Sequence, residues 1–111
     1  MSNTIQFDDF KKVDIRIGTI IEINDFPEAR NPAYQLTIDF GALGVKKSSA
    51  QITTLYNKEV LLNKQILAVI NFPKKQIGNF ISECLVLGAV DGKDVILLNP
   101  ETPVLNGMTV S

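Results

Sequence analysis

The chain has 111 residues, a length that predicts one domain spanning residues 1–111. It has no histidine and one cysteine, so it lacks the commonest general base and the ligands of a structural zinc site. It also has no phosphate-binding glycine loop and no Gly-x-Ser-x-Gly nucleophile motif. The sequence therefore predicts a protein that is not an enzyme, with no catalytic residues, no metal and no cofactor.

The first predicted strand runs from Asp14 to Phe26, where apolar and polar residues alternate. The alternation places five residues on one face, namely Ile15, Ile17, Thr19, Ile21 and Ile23. Gly18 inside this run predicts a bulge or bend. A loop over Pro27–Pro32 precedes a second strand, Tyr34–Phe40. After a turn at Gly41–Gly44 comes a third strand, Val45–Ile52, which is polar on both faces.

After the third strand, the apolar residues no longer alternate with a period of two. Thr53 or Thr54 is a candidate cap for a short helix that ends at Asn63. Further strands are predicted at Gln65–Asn71, Glu83–Ala89 and Val95–Leu98, with an edge strand at Gly107–Val110. Five main strands with a helix between the third and fourth predict an all-β, OB-fold five-stranded Greek-key barrel with extra terminal segments. A β-sandwich is the alternative.

The segment between the fourth and fifth strands, Asn71 to Glu83, has the composition of a ligand-binding loop. Lys74 and Lys75 follow Pro73, and Phe72 and Phe80 flank them. Lysines can grip backbone phosphates and aromatic rings can stack on bases. The alternative is structural: exposed lysines keep sheet edges from pairing, and both phenylalanines pack in the core.

Charge distribution and cysteine content indicate which ligands and which cellular compartment to expect. The net charge is −1 and the pI about 5.3, unlike a generic nucleic-acid binder, but residues 31–90 carry six lysines against three carboxylates. The remaining ends carry five basic and nine acidic residues. Cys84, beside Leu85–Leu87, is predicted to be a buried strand residue rather than a reactive thiol. With no apolar run of about 20 residues and no secretory signal, a cytoplasmic protein without membrane insertion is expected.

Several motifs in order resemble the tRNA-binding domain family. They are Asp14–Ile20, Phe26–Arg30, Ile38–Gly41, Lys47–Ile52, Asn71–Pro73 and the stretch from Ser82-Glu83 to Leu87-Gly88. That family includes the appended C-terminal domain of many bacterial methionyl-tRNA synthetases. The chain is most similar to its stand-alone branch, the CsaA proteins, which are described as export-related chaperones.

The resemblance implies an OB-fold homodimer that binds the outer corner of tRNA by shape, with unfolded or precursor polypeptides as a second kind of partner. Carried over by position, the RNA-binding residues are Lys46, Lys47, Ser48, Gln51, Asn71, Lys74, Lys75 and Ser82. The alternative for the four uncharged residues is structural, since such side chains can satisfy strand ends and turns. The sequence departs from the family where Lys74-Lys75 replaces arginines, and where Asn79 replaces a glycine that Asn can mimic in the left-handed conformation.

The dimer interface is expected to involve both ends of the chain, through Phe7, Phe10, Val13, Val104, Leu105, Met108 and Val110. Leu61 and Leu62 are further candidate exposed aliphatics. Arg16 is expected to pair with Asp39 or Glu22. The alternative function is a polypeptide-binding secretion chaperone in which RNA binding is weak or vestigial, and a bare dimerisation module is a third possibility.

Overall fold

The structure is a computed structural model that describes residues 3–111 and consists mainly of short strands. A 3-10 turn at Gly41–Leu43 follows the second strand. The elements are α1 (Phe7–Lys11), β1 (Ile15–Asp25), β2 (Tyr34–Asp39), β3 (Val45–Ala50), α2 (Lys58–Leu61), β4 (Gln65–Val69), β5 (Lys75–Ile77), β6 (Phe80–Ser82), β7 (Leu85–Val86), β8 (Gly88–Asp91), β9 (Asp94–Leu97) and β10 (Thr109–Val110).

The longest strand, β1, organises the barrel because it pairs on both edges. Its second half pairs with β2, and its first half pairs with β4 and with β10. The resulting sheet has the order β3-β2-β1-β4-β7 and is antiparallel throughout. A helix between the third and fourth strands completes the predicted arrangement, and the all-β OB-fold is confirmed.

Residues from both predicted faces of β1 are buried, Ile17 from one and Ile20 from the other. Ile20 is fully buried in the core, whereas Ile21 is 43% exposed, because the pairing with β2 shifts register between Ile20 and Glu22. Gly18 lies before this irregularity. A Cβ on Gly18 would come within 2.6 Å of Ile38 Cγ2 and 2.8 Å of the Phe40 ring, so glycine is required by close packing and not by a bulge.

The barrel nearly closes where β3 approaches the end of β6. The Glu83 N–H donates to the Lys47 carbonyl at 2.7 Å, and the Lys47 N–H donates to the Glu83 carboxylate at 3.1 Å. The Ser49 N–H donates to the Ser82 hydroxyl at 3.4 Å. We call these four residues (Lys47, Ser49, Ser82 and Glu83) the polar seam. Closure therefore depends on side chains as well as on backbone pairing.

The second half of the chain contains several departures from the prediction. The α2 cap is Asn57, whose side chain accepts from the Val60 N–H, and not Thr53 or Thr54. Asn63 follows this helix with a positive φ of 69°, as a terminating asparagine should. The strand expected over Glu83–Ala89 is interrupted, because β7 pairs with β4 while β8 forms a hairpin with β9. Cys84 lies between β6 and β7 and is buried.

The barrel interior is filled by aliphatic and aromatic side chains from β1 to β4 and the segments that cover them. Leu36, Ile38, Phe40, Leu61 and Ile66 are fully buried. Leu61 is therefore a core residue and not an exposed aliphatic, whereas Leu62 is 47% exposed. Within residues 3–111, no helix has both the length and the apolar character needed to cross a bilayer.

Candidate nucleic-acid interface

The third strand presents its two lysines in opposite directions, because neighbouring strand residues alternate between faces. Lys47 and Ser49 project outward, and their partners on β2 are Thr37 and Gln35. Ser48 is fully buried, and its hydroxyl donates to the Ser49 carbonyl at 3.4 Å. Lys46 shares this inner side and is half-buried. Of the residues within β3 that were predicted to bind RNA (Lys46, Lys47 and Ser48), Lys47 lies on the outer face, next to Ser49. Gln51 follows the end of the strand.

The β5–β6 hairpin forms one wall of a cavity of about 620 Å³. We call it the hairpin cavity; it is lined by Phe72, Pro73, Lys74, Lys75, Gln76, Ser82, Cys84 and Leu85. Lys75 is the Cα partner of Ser82, so their side chains lie on the same face of the hairpin. The structure thus brings together three of the residues predicted to bind RNA: Lys74, Lys75 and Ser82.

Glu83 connects the hairpin cavity to the barrel, and sequence reasoning gave it no role. One carboxylate oxygen accepts the Lys47 N–H, and the other lies 3.6 Å from Lys74 Nζ. Lys75, by contrast, forms no ion pair within residues 3–111. Lys75 is therefore the more available cation in the hairpin cavity, while Lys74 is partly neutralised. An acidic residue eight positions after Lys75 was visible in the sequence, but its contacts with Lys74 and with β3 depend on the tertiary fold.

Cys84 lies in the wall of the hairpin cavity as an unreactive thiol. Burial raises its pKa from 9.0 to about 12, and the neighbouring Glu83 charge acts in the same direction. Lys46 and a hydrogen bond with Ser48 act against this rise. The predicted burial of Cys84 is therefore confirmed, whereas its predicted place within a strand was wrong, since it lies between β6 and β7.

Phe72 and Phe80 take different roles. Phe72 is 53% exposed and borders the hairpin cavity, where its ring is accessible for stacking. Phe80 is buried against Phe26, with ring centroids 5.3 Å apart, in a small cluster outside the main core. The turn between β5 and β6 places Gly78 at a φ of 61°, so glycine itself and not Asn79 adopts the left-handed conformation.

Asn71 and Gln51 lie apart from the hairpin cavity. The Asn71 side chain accepts the Asp14 N–H at 3.0 Å and donates to the Lys12 carbonyl at 2.6 Å, so both ends of its amide hold the N-terminal segment. Gln51 instead lines a second cavity of about 650 Å³. We call it the turn cavity; it is lined by Asn31, Pro32, Gln51, Thr53, Thr54, Val90, Gly92, Lys93 and Val95.

The predicted interface residues at the chain ends come together on another part of the surface. Phe7, Phe10, Val13 and Val110 border one shallow cavity, and Val104, Met108 and Val110 border an adjoining one. Leu105 is 79% exposed. Arg16 pairs with Asp14 at 2.6 Å and donates to the Gly107 carbonyl at 3.0 Å. The expected partners Asp39 and Glu22 were therefore wrong, since Arg16 joins β1 to the C-terminal segment.

The five-stranded barrel with its short helix is an OB-fold, a fold whose members include binders of oligonucleotides and oligosaccharides. The family described as "Putative tRNA binding domain" matches residues 15–109. The chain therefore belongs to the tRNA-binding domain family.

Solved structures agree in fold and in length. The chaperone CsaA from Bacillus anthracis is 51% identical with a TM-score of 0.94, and 98% of this chain covers 100% of that one. The CsaA chaperone from Picrophilus torridus is 53% identical with a TM-score of 0.91, with coverage of 97% and 100%. The similarity to the CsaA chaperones is thus established at the level of sequence and fold.

Among curated proteins, the methionine–tRNA ligase of Pyrococcus horikoshii is 37% identical over 106 residues. The alignment covers 96% of this chain and 14% of the ligase. That of Francisella tularensis subsp. tularensis is 36% identical over 104 residues, or 94% of this chain and 15% of the ligase. The chain thus spans about one seventh of the length of these relatives.

Proposed function

We propose that this chain binds tRNA with the hairpin cavity and the adjoining outer face of β3, and that it does so without catalysis. The observation that carries the proposal is the convergence of Lys74, Lys75 and Ser82 on one cavity that also exposes the Phe72 ring. Membership of the tRNA-binding domain family supports the same ligand.

Each group has a chemical part in the proposed complex. Lys75 and Lys47 attract backbone phosphates as point charges, and Lys74 does so after exchanging its contact with Glu83. The Ser82 and Ser49 hydroxyls suit sugar 2′-hydroxyls, which distinguish RNA from DNA. Phe72 offers a ring for one unpaired base. The protein is therefore expected to recognise tRNA mainly through the shape and charge of the RNA backbone.

The affinity is expected to be modest and sensitive to salt. The net charge of −1 per chain gives little long-range attraction, so contacts must be local. Lysine binds phosphate as a point charge without the bidentate geometry of arginine. Each phosphate neutralised contributes a slope of about −0.7 to −0.9 in log affinity against log salt.

A gel shift with tRNA tests this proposal directly. The double variant Lys74→Glu with Lys75→Glu is expected to abolish the shift at about 0.1 M salt, because two attractive contacts become repulsive. Lys58→Glu with Lys64→Glu makes the same change in net charge away from the hairpin cavity and should retain binding. Equal binding by the two double variants, or a salt-independent affinity of the wild type, would contradict the proposal.

The second candidate function is polypeptide binding, which the apolar part of the same cavity favours. Phe72 and Leu85 are each about half exposed there, and both CsaA relatives are named chaperones. In this alternative the protein is an export-related chaperone for unfolded or precursor polypeptides, with weak or vestigial RNA binding. Suppression of aggregation and the tRNA gel shift, both measured on Leu85→Ser and on the Lys74/Lys75 double variant, separate the functions. Leu85→Ser should weaken chaperoning alone, and the lysine double variant should weaken RNA binding alone.

The proposal includes a cytoplasmic homodimer. The exposed apolar residues at the chain ends, among them Phe7, Leu105 and Met108, support self-association through that surface. The unpaired buried thiol of Cys84 is compatible with a reducing compartment. Light scattering at micromolar concentration should give twice the chain mass, and a monomer would contradict this part of the proposal.

A further inference from the structure

The turn cavity is about as large as the hairpin cavity, and the proposed function leaves it without a ligand. Its walls come from three places: the loop after β1, the segment after β3 and the β8–β9 hairpin. Four side chains that line it carry amide or hydroxyl groups, and Lys93 adds a cation at the hairpin turn; the four are Asn31, Gln51, Thr53 and Thr54. Such a set suits an anionic, hydrogen-bonding ligand.

The outer face of β3 joins the two cavities. Lys47 and Ser49 project outward next to the polar seam, and Gln51, two residues further along, lines the turn cavity. The four residue steps from Lys47 to Gln51 span about 13 Å of extended chain. OB-folds bind about 4–16 nucleotides of single strand, which is long enough to cover this distance. Polar or charged side chains, namely Lys47, Ser49 and Gln51, therefore lie between the two cavities.

The charges near the turn cavity include two carboxylates. Asp91 and Asp94 face each other across the β8–β9 turn, but neither of them lines the cavity. Lys93 is exposed and, within residues 3–111, forms no ion pair. Its ammonium group is therefore available to a phosphate oxygen, and the two neighbouring carboxylates lower the local positive potential that it supplies.

We propose that the turn cavity is a second subsite for the RNA backbone, and that one RNA strand runs from the hairpin cavity along the outer face of β3 to Lys93. This inference rests on the proposed function and extends it to the β8–β9 hairpin, which lies outside the barrel sheet. Lys93 binds a phosphate there, while Gln51 and Thr53 donate hydrogen bonds to phosphate or sugar oxygens.

Fluorescence anisotropy with labelled tRNA, measured over a series of salt concentrations, tests the subsite. The Kd of Lys93→Glu should be about five times the Kd of Lys64→Glu. The slope of log affinity against log salt should also fall in magnitude by about 1 in Lys93→Glu. Lys64 is a matched control because the substitution changes the net charge equally and the residue lines neither cavity. Lys93 is exposed in a turn, so its substitution should leave the circular dichroism spectrum unchanged.

A single-stranded RNA of 12 nucleotides locates the contact. On its addition, the side-chain amide resonances of Asn31 and Gln51 should shift in the wild type and shift less in Lys93→Glu. The subsite alone would be overturned by three results together. The Lys74/Lys75 double variant would lose binding, Lys93→Glu and Lys64→Glu would have equal Kd values, and the Gln51 resonance would not shift. Failure of the wild type to bind either RNA would overturn both the subsite and the proposed function.

Discussion

The two sides of β3 are under different physical constraints. On the inner side, Ser48 and Ala50 are buried, and the Ser48 hydroxyl is satisfied by the Ser49 carbonyl, as a buried polar group must be. On the outer side, the polar seam closes the barrel through Glu83 and Ser82, whose polar groups remain close to solvent. The inner side contributes to the core, whereas the outer side both helps to close the barrel and leaves polar groups available to a ligand.

The largest expected effect comes from breaking the packing of β1 at the register shift. Ile20→Ala should lower the free energy of unfolding by about 2–5 kcal/mol, because Ile20 is fully buried and its loss leaves a cavity. Ile21→Ala makes the same chemical change on the next residue, which is 43% exposed, and should cost less than about 1 kcal/mol. Urea denaturation measures both, and equal losses would contradict the inward orientation of Ile20.

This pair of variants also shows why the sequence predicted the fold better than the side-chain orientation. Alternation alone identified β1 and gave its limits within one residue, because the apolar period of two is a local property. The shift between Ile20 and Glu22 arises from pairing with β2, which is a tertiary event. A single irregularity of this kind moves the following side chains to the other face.

The same reasoning applies to the candidate site. The sequence identified the Lys74-Lys75 pair and Ser82, since a basic loop between apolar runs is visible locally, and the fold does bring them to one cavity. It did not foresee that Ser48 is buried, because a serine in a strand gives no indication of its face. Nor could it show that Glu83 reaches β3, a contact between residues 36 positions apart.

A smaller effect is expected from the polar seam. Glu83→Ala should cost about 1–3 kcal/mol in stability, because the Lys47 N–H loses its acceptor. Glu83→Gln keeps an acceptor and should cost less, while it removes the charge that engages Lys74. If the hairpin cavity binds RNA, Glu83→Gln should strengthen tRNA binding about two- to fivefold, since an exposed ion pair is worth up to about 1 kcal/mol.

Glu101→Gln is the control for net charge, because Glu101 is exposed and does not line the hairpin cavity. A gain in affinity that is equal in both variants would indicate a general charge effect without a local role for Glu83. Weaker binding in Glu83→Gln would contradict the inference that Glu83 restrains Lys74 in the unbound protein.

The smallest expected effect concerns Asn71, which family position assigns to RNA and which the structure connects to the N-terminal segment. Asn71→Ala removes hydrogen bonds to the Asp14 N–H and the Lys12 carbonyl, and should cost about 1 kcal/mol because both groups can turn to water. The tRNA affinity should stay within twofold of the wild type, since Asn71 does not line the hairpin cavity. A several-fold loss of affinity with unchanged stability would instead place Asn71 in contact with RNA and extend the interface beyond the hairpin cavity, toward α1.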